Sequence, residues 1–223
     1  MERIPEVETI GEPGDARRFS DLMGANRFRQ SEYRLLAKRL VDLGVPQRGK
    51  VLDLGTGPGF VAIEAAKLVG RMDCRVVGMD LSTAMLELAA ENAAKAGLNG
   101  MLAWREGDNK AMPFGDGEFD AVVSNDSLHH WEDPLAVFDE IARVLKKGGR
   151  CIVKDSKRLQ SRWPWMFVKA ISLSIPSDFR VHWWNSIKSS YTVDELKAIL
   201  SRSRLENWRI EEGFLEVMVI KES

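Results

Sequence analysis

The sequence predicts an α/β protein: a mostly parallel sheet with helices on both faces, turning mixed at one edge. Three observations predict it. Between residues 50 and 155, apolar runs of strand length alternate with longer runs of helical period. The first of those strands, "KVLDL", opens into a glycine-rich turn, "GTGPG", that leads directly into a helix. Near the end, the strand-like runs "ENWRIEEG" and "FLEVMVIKE" meet at Glu212-Gly213. Strands that close together must pair antiparallel, because a parallel pair needs a long crossover.

Residues 1–14 carry Pro5, Gly11, Pro13 and Gly14 and read as a loose arm. From Ala16 to Leu43 a helical pattern runs through Phe19, Leu22, Met23, Leu35, Leu36, Leu40 and Leu43, with a break near Gly24. "FVAIEAAKLVG" is a helix closed by Gly70, and "CRVVGMD" is the second strand. Ser82 then caps "TAMLELAAENAAKAG", which Gly97 ends. "MLAWREG" and "FDAVVSN" are the third and fourth strands. Asp133 and Pro134 start the next helix, whose apolar face is Leu135, Phe138, Ile141, Ala142 and Leu145. "KKGG" is expected to stop it, and "RCIVKD" is the fifth strand. Thr192 and Glu195 form a capping box for "VDELKAILSR". The expected division is an N-terminal arm with cap helices over 1–44 and one α/β domain over 45–223, with an insertion at 157–191.

Charged residues make up 29% of the 223, and their signs nearly cancel to −1. That balance argues against general affinity for nucleic acid or an anionic membrane. No apolar run approaches the roughly 20 residues of a membrane span, and the acidic, polar N-terminus is unlike a signal peptide. Cys74 and Cys151 lie in strand-like runs with no metal-binding spacing, so both are expected to be reduced core residues of a cytoplasmic protein.

In open sheets of this kind, ligands bind beyond the carboxyl ends of the strands. Gly55, Gly57 and Gly59 lie at the end of the first strand, spaced GxGxG. Asp80 ends the second strand, where a carboxylate can hold both hydroxyls of a ribose. Asp108 follows the third strand, placed to accept from an exocyclic amine, and Asp53 stands at the loop itself. A pyrophosphate beside Asp53 would meet like-charge repulsion. An adenosine ligand with a net positive charge and no phosphate, S-adenosyl-L-methionine (SAM), fits better than NAD.

The stretches "VLDLGTGPG", "GMDLS", "GDNKAMPFGDGEFDAVVSN" and "EIARVLKKGGRCIV" resemble the successive motifs of class I SAM-dependent methyltransferases. The resemblance is nearest the small-molecule group that includes the ubiquinone and menaquinone C-methyltransferases. It implies a Rossmann-like seven-stranded sheet of order 3-2-1-4-5-7-6, strand 7 antiparallel, under an N-terminal helical cap. It implies SAM as cofactor and S-adenosyl-L-homocysteine as product. By resemblance the cofactor residues are Asp53, Gly55, Thr56, Gly57, Gly59, Asp80, Leu81, Met85, Asp108, Asn109 and Asn125, although alanine usually stands in the family where Asn109 stands here.

Methyl transfer from a sulfonium mainly requires alignment, desolvation and removal of a proton. No metal is expected. His129 and His130, just past the fourth strand, are the candidate general bases, with Asp126 and Asp155 as comparable groups at strand ends. The Asn/Asp-Pro-Pro-aromatic tetrad of nucleobase methylation is absent, since "NDSL" stands in its place. The long segment 157–191 holds Trp163, Trp165, Trp183 and Trp184, four of the seven tryptophans. It reads as a lid over the site or as an extra edge helix. Phe19, Met23, Arg180, Trp183 and Trp184 are the candidate substrate residues. The expected activity is SAM-dependent methyl transfer to a small, largely apolar molecule bearing a polar or anionic group, with no nucleic-acid partner and no stable membrane insertion. A catalytically silent SAM-binding module and an NAD-linked oxidoreductase are the alternatives.

Overall fold

The computed structural model describes residues 3–4, 13–98, 100–173 and 177–223. Much of the arm expected over 1–14 lies outside them. The chain begins with α1 (Pro13–Ala25) and α2 (Arg27–Asp42). Asn26 separates the two helices, because its side chain accepts from the backbone N–H of Phe28 and Arg29 and so starts α2. Strands and helices then alternate: β1 (Lys50–Leu54), α3 (Phe60–Val69), β2 (Arg75–Asp80), α4 (Thr83–Lys95), β3 (Leu102–Glu106) and β4 (Phe119–Asn125). They continue as α5 (Pro134–Val144), β5 (Leu145–Ser156), α6 (Arg162–Ser172), α7 (Ser177–Ser189), α8 (Val193–Leu200), β6 (Trp208–Glu212) and β7 (Glu216–Lys221).

The seven strands form one sheet in the order β3-β2-β1-β4-β5-β7-β6. All pairs from β3 to β5 are parallel, and β7 enters antiparallel between β5 and β6. The expected order and the antiparallel seventh strand are therefore present. Both faces of the sheet are covered. On one face Phe138, Ile141 and Val144 of α5 and Leu196 and Leu200 of α8 pack on Leu52, Val122 and Val153. On the other, Tyr33, Leu36, Ala37 and Leu40 of α2 and Ala62, Ala65 and Val69 of α3 pack on Val51, Val123 and Ile152. Each fully buried side chain of this size contributes roughly 1.5–3 kcal/mol.

Three details depart from the sequence reading. The buried stripe of α2 is Tyr33, Leu36, Ala37 and Leu40, while Leu35 is 66% exposed. Helix α5 ends at Val144, so "KKGG" belongs to β5, where Leu145 pairs with Phe119 across a register shift. Only Arg143 is left in the last turn of α5 to complement its dipole. Cys151 is buried in β5 and free, but Cys74 precedes β2 and is half-buried, its thiol near the Pro46 carbonyl.

Candidate active site

The order of the strands brings the ends of β3, β2, β1 and β4 side by side. Register puts Asp53 level with Gly78 on one neighbour and Val123 on the other. The glycine loop, Asp80 and Asn125 therefore share one edge of the sheet.

Within the loop, Gly55, Gly57 and Gly59 all take positive φ, at 67°, 52° and 82°. A β-carbon on Gly59 would lie 2.8 Å from the side chain of Ala89 and 2.9 Å from Trp104. Gly57 is different: nothing lies within 4 Å of the same position. The loop is tightly packed at its ends and open in its middle.

Asp53 does not face a ligand from this loop; it lies beneath it, 1% exposed. Its Oδ2 accepts from the Thr56 hydroxyl at 2.7 Å and from the Ala62 N–H at 2.9 Å. Gly59 occupies the N-cap of α3 and has no side chain to cap it. Asp53 supplies that acceptor from inside β1, tying strand, loop and helix together.

Burial pushes the Asp53 carboxyl up to about 7, against the pull of its two hydrogen bonds and with help from nearby Asp80. The folded protein then keeps a proton that the unfolded chain has released between its usual pKa of 3.8 and about 7. This group's contribution to stability accordingly falls as pH rises through that window, by up to about 1.4 kcal/mol per pH unit, and is level above it. Urea denaturation of the wild type and Asp53→Asn across the window should show the variant gaining relative stability as pH rises. A pH-independent difference would place the Asp53 pKa elsewhere.

Asp80, at the end of β2, accepts from Gly57 N–H at 2.8 Å and from Ser82 N–H at 3.0 Å. Burial raises its pKa, and these backbone donors oppose the rise. Leu81 beside it is 58% exposed, an apolar rim. Asp108 is exposed and makes a local turn, accepting from Lys110 N–H at 2.8 Å, with Asn109 half-buried next to it. Met85 faces away from this rim, buried against Ala16, Phe19 and Leu88 in the seam between α1 and α4. Asn125 ends β4, and its amide donates to Asp126 Oδ2 at 3.0 Å.

Past β4 the chain makes a one-turn 3-10 helix, Leu128–His130. His129 is buried, with Nδ1 at 2.8 and 2.9 Å from the Asp155 carboxylate oxygens, and its backbone N–H donates to the same carboxylate at 2.8 Å. Asp155 also accepts from Ser156 N–H at 2.6 Å, which fixes the carboxylate beside His129. The His130 ring lies 4.0 Å from that of His129. Desolvation, then His129, pushes the His130 pKa down to about 3, although the residue keeps an exposed edge; the ring is neutral at neutral pH. Asp126 pairs with Arg29 of α2 and is held down at about 2 against its own burial, by Arg29 and then Lys154. It is ionised and already paired, a poor proton acceptor.

The candidate substrate residues are dispersed. Phe19 packs toward Met85, and the Met23 carbonyl accepts from Gln30 Nε2 at 3.1 Å. Gly24, next to Met23, lies against Phe60 at the head of α3. Arg180 is half-buried on α7, while Trp183 and Trp184 pack with Leu159, Val168 and Ile187. Sequence reasoning missed the residues that shape the loop from afar: Ser127 against Gly55, Trp104 against Gly59 and Gly78, and Arg29 on Asp126. It also missed Asn92, whose Nδ2 reaches the Pro58 carbonyl at 3.0 Å and Ser20 Oγ at 3.1 Å. Its only signal was an amide on the face of α4 that carries Leu88, Ala89 and Ala93.

Residues 52–153 match the family model described as "Methyltransferase domain". This stretch is similar to methyltransferase domains. The ubiquinone/menaquinone biosynthesis C-methyltransferase of Desulfotalea psychrophila is 38% identical over 113 residues, covering 51% of this chain and 44% of that one. The malonyl-[acyl-carrier protein] O-methyltransferase of Legionella pneumophila is 35% identical over 148 residues, 63% of this chain and 46% of its own. The matches thus span less than half the length of these curated relatives. A solved structure from Methanococcus maripaludis, assigned to the SAM-dependent methyltransferases, superposes over 99% of this chain and 97% of its own, with a TM-score of 0.76 at 23% identity. The matched stretch thus sits in the Rossmann-like fold that the resemblance implied. It contains the loop, Asp80, Asp108, Asn125 and both histidines.

Proposed function

We propose that the protein transfers the methyl group of SAM to a small, largely apolar molecule bearing a polar or anionic group. One observation carries the reading: of the three loop glycines only Gly57 is open, and the group waiting there is the Asp80 carboxylate. A carboxylate at the open point of a turn that would otherwise suit phosphates favours a cationic adenosine ligand over a dinucleotide.

The residues fit that ligand. Asp80 is placed to accept from ribose hydroxyls, Leu81 offers an apolar surface to the adenine, and Asp108 with Asn109 meets its polar edge. Gly55, Thr56, Gly57 and Gly59 form the turn under the methionyl end, close to Asn125. Met85 supports this wall through its packing on α1. Bound SAM supplies a methyl on a sulfonium, a leaving group already activated. The chain's own part is to align the acceptor, exclude water and take a proton where the acceptor carries one. Of the two histidines, His129 is the better proton acceptor. Asp155 fixes its Nδ1 and orients the ring, whereas His130 is too weak a base at a pKa of about 3. The two curated relatives differ in acceptor, carbon in one name and oxygen in the other. What they share is the donor half.

Thermal melting tests the reading. SAM or S-adenosyl-L-homocysteine at 100 times its Kd should add about 2.7 kcal/mol of stability, and NAD should add nothing. Stabilisation by NAD alone would defeat the proposal.

A further inference from the structure

Helix α6 is apolar on two opposite faces. Val168 and Ser172 are fully buried and Trp165 is partly so; with Leu159, Ile187, Trp183 and Trp184, Val168 and Trp165 dock the α6–α7 pair onto the body of the protein. The other face carries Trp163, Met166 and Phe167, exposed by 79%, 60% and 51%, and Leu173 just past the helix end is 72% exposed. The spacing of the first three keeps them on one side of the helix. Phe214, in the turn before β7, extends the patch: it is 59% exposed and its ring meets Phe167 edge-on at 5.3 Å. A monomer rarely leaves such a contiguous group of large side chains to water.

What borders the patch says what covers it. An open pocket of about 720 Å3 lies between α6 and α7, walled by Trp165, Met166 and Trp184 and flanked by Lys169 and Lys188. Neither ammonium has an ion-pair partner among the described residues. The buried Trp184 Nε1–H has no acceptor there either. None of the glycine-loop residues lines this pocket. An aromatic and aliphatic stripe edged by unpaired lysines is the composition of a helix lying in the plane of a bilayer surface. A second copy of the chain would leave these lysines without the anions that a lipid surface supplies, and is an outcome the test below distinguishes.

We propose that the exposed face of α6, with Phe214, docks on an anionic lipid bilayer, and that Lys169 and Lys188 hold lipid headgroups at the pocket mouth. The near-zero net charge does not oppose this, because attraction to a membrane surface is local and fades within a Debye length. No helix among the described residues is long and apolar enough to cross a membrane, so the contact is peripheral. The proposal stands apart from the methyl-transfer reading and survives that reading's failure.

Co-sedimentation of the full chain with vesicles of phosphatidylcholine, with and without phosphatidylglycerol, tests it. The wild type should pellet with the anionic vesicles and release as salt rises. The pair Trp163→Ser and Phe167→Ser should weaken partitioning by roughly tenfold or more. The pair Lys169→Glu and Lys188→Glu should remove the preference for phosphatidylglycerol, at roughly fivefold per lysine. All four side chains lie at the surface or the pocket mouth, so melting temperatures should stay near that of the wild type. A wild type that ignores both vesicle types, or an apolar variant that pellets as well as the wild type, overturns the proposal. So does a wild-type dimer that falls to monomer in the Trp163→Ser, Phe167→Ser variant by sedimentation velocity, since the face would then be a self-contact.

Discussion

Gly55→Ala is expected to lower the melting temperature by roughly 10 °C and to weaken SAM binding by more than tenfold. Two costs combine. The residue sits at φ 67°, a conformation that costs an ordinary L-residue about 1–2 kcal/mol. Its new β-carbon would also stand 2.7 Å from Ser127 Cβ and closer still to the Ser127 hydroxyl. That hydroxyl cannot swing away freely, because it accepts from Trp131 Nε1–H at 3.0 Å in the core. Overpacking of this kind adds about 1–3 kcal/mol, and each kcal/mol lowers the melting temperature of a chain this size by about 2–4 °C. Adding Ser127→Gly should recover part of the loss. Gly57→Ala is the informative contrast: its β-carbon meets nothing within 4 Å, so stability should change little while the open face for the ligand fills. Melting curves and calorimetric titration with SAM distinguish the cases. A Gly55→Ala protein as stable as wild type would mean that the contact with Ser127 is easily relieved.

Asp80→Ala should reduce SAM affinity by about a hundredfold. Two hydrogen bonds to a charged acceptor are each worth about 1.5–3 kcal/mol, and tenfold in binding is about 1.4 kcal/mol. The same carboxylate holds the Gly57 and Ser82 N–H groups, so the variant should also melt a few degrees lower. Asp80→Asn separates the effects, since its amide oxygen still accepts from one backbone donor while the charge is gone. It should melt near wild type yet bind SAM at least tenfold more weakly. Wild-type affinity in Asp80→Ala would remove this residue from the ribose site and with it much of the argument for SAM over NAD.

Alternating periodicity, caps and turn residues make most of the fold legible in the chain itself. Ser82, Asp133 and the Thr192–Glu195 box cap their helices as expected, because a cap is a local event decided within four residues. The antiparallel edge was equally legible, since Glu212-Gly213 is too short for any other connection. The strand order needed the motif resemblance as well. What the chain could not reveal alone is which residues meet across many positions. Asp53 is one carboxylate among many in sequence; only the packing of β1 under α3 makes it a buried cap whose proton leaves near neutrality. The end of α5 moved for the same kind of reason: "KKGG" has local stop signals, but β4 offered Leu145 a strand partner, and the pairing won. Arg29 reaches Asp126 across 97 positions, and Asp155 reaches His129 across 26. Those pairings decide which acid is locked in an ion pair and which histidine is fixed by a carboxylate. Charge and proton affinity in a site depend on burial and on partners a few ångströms away, and only the folded chain sets those distances.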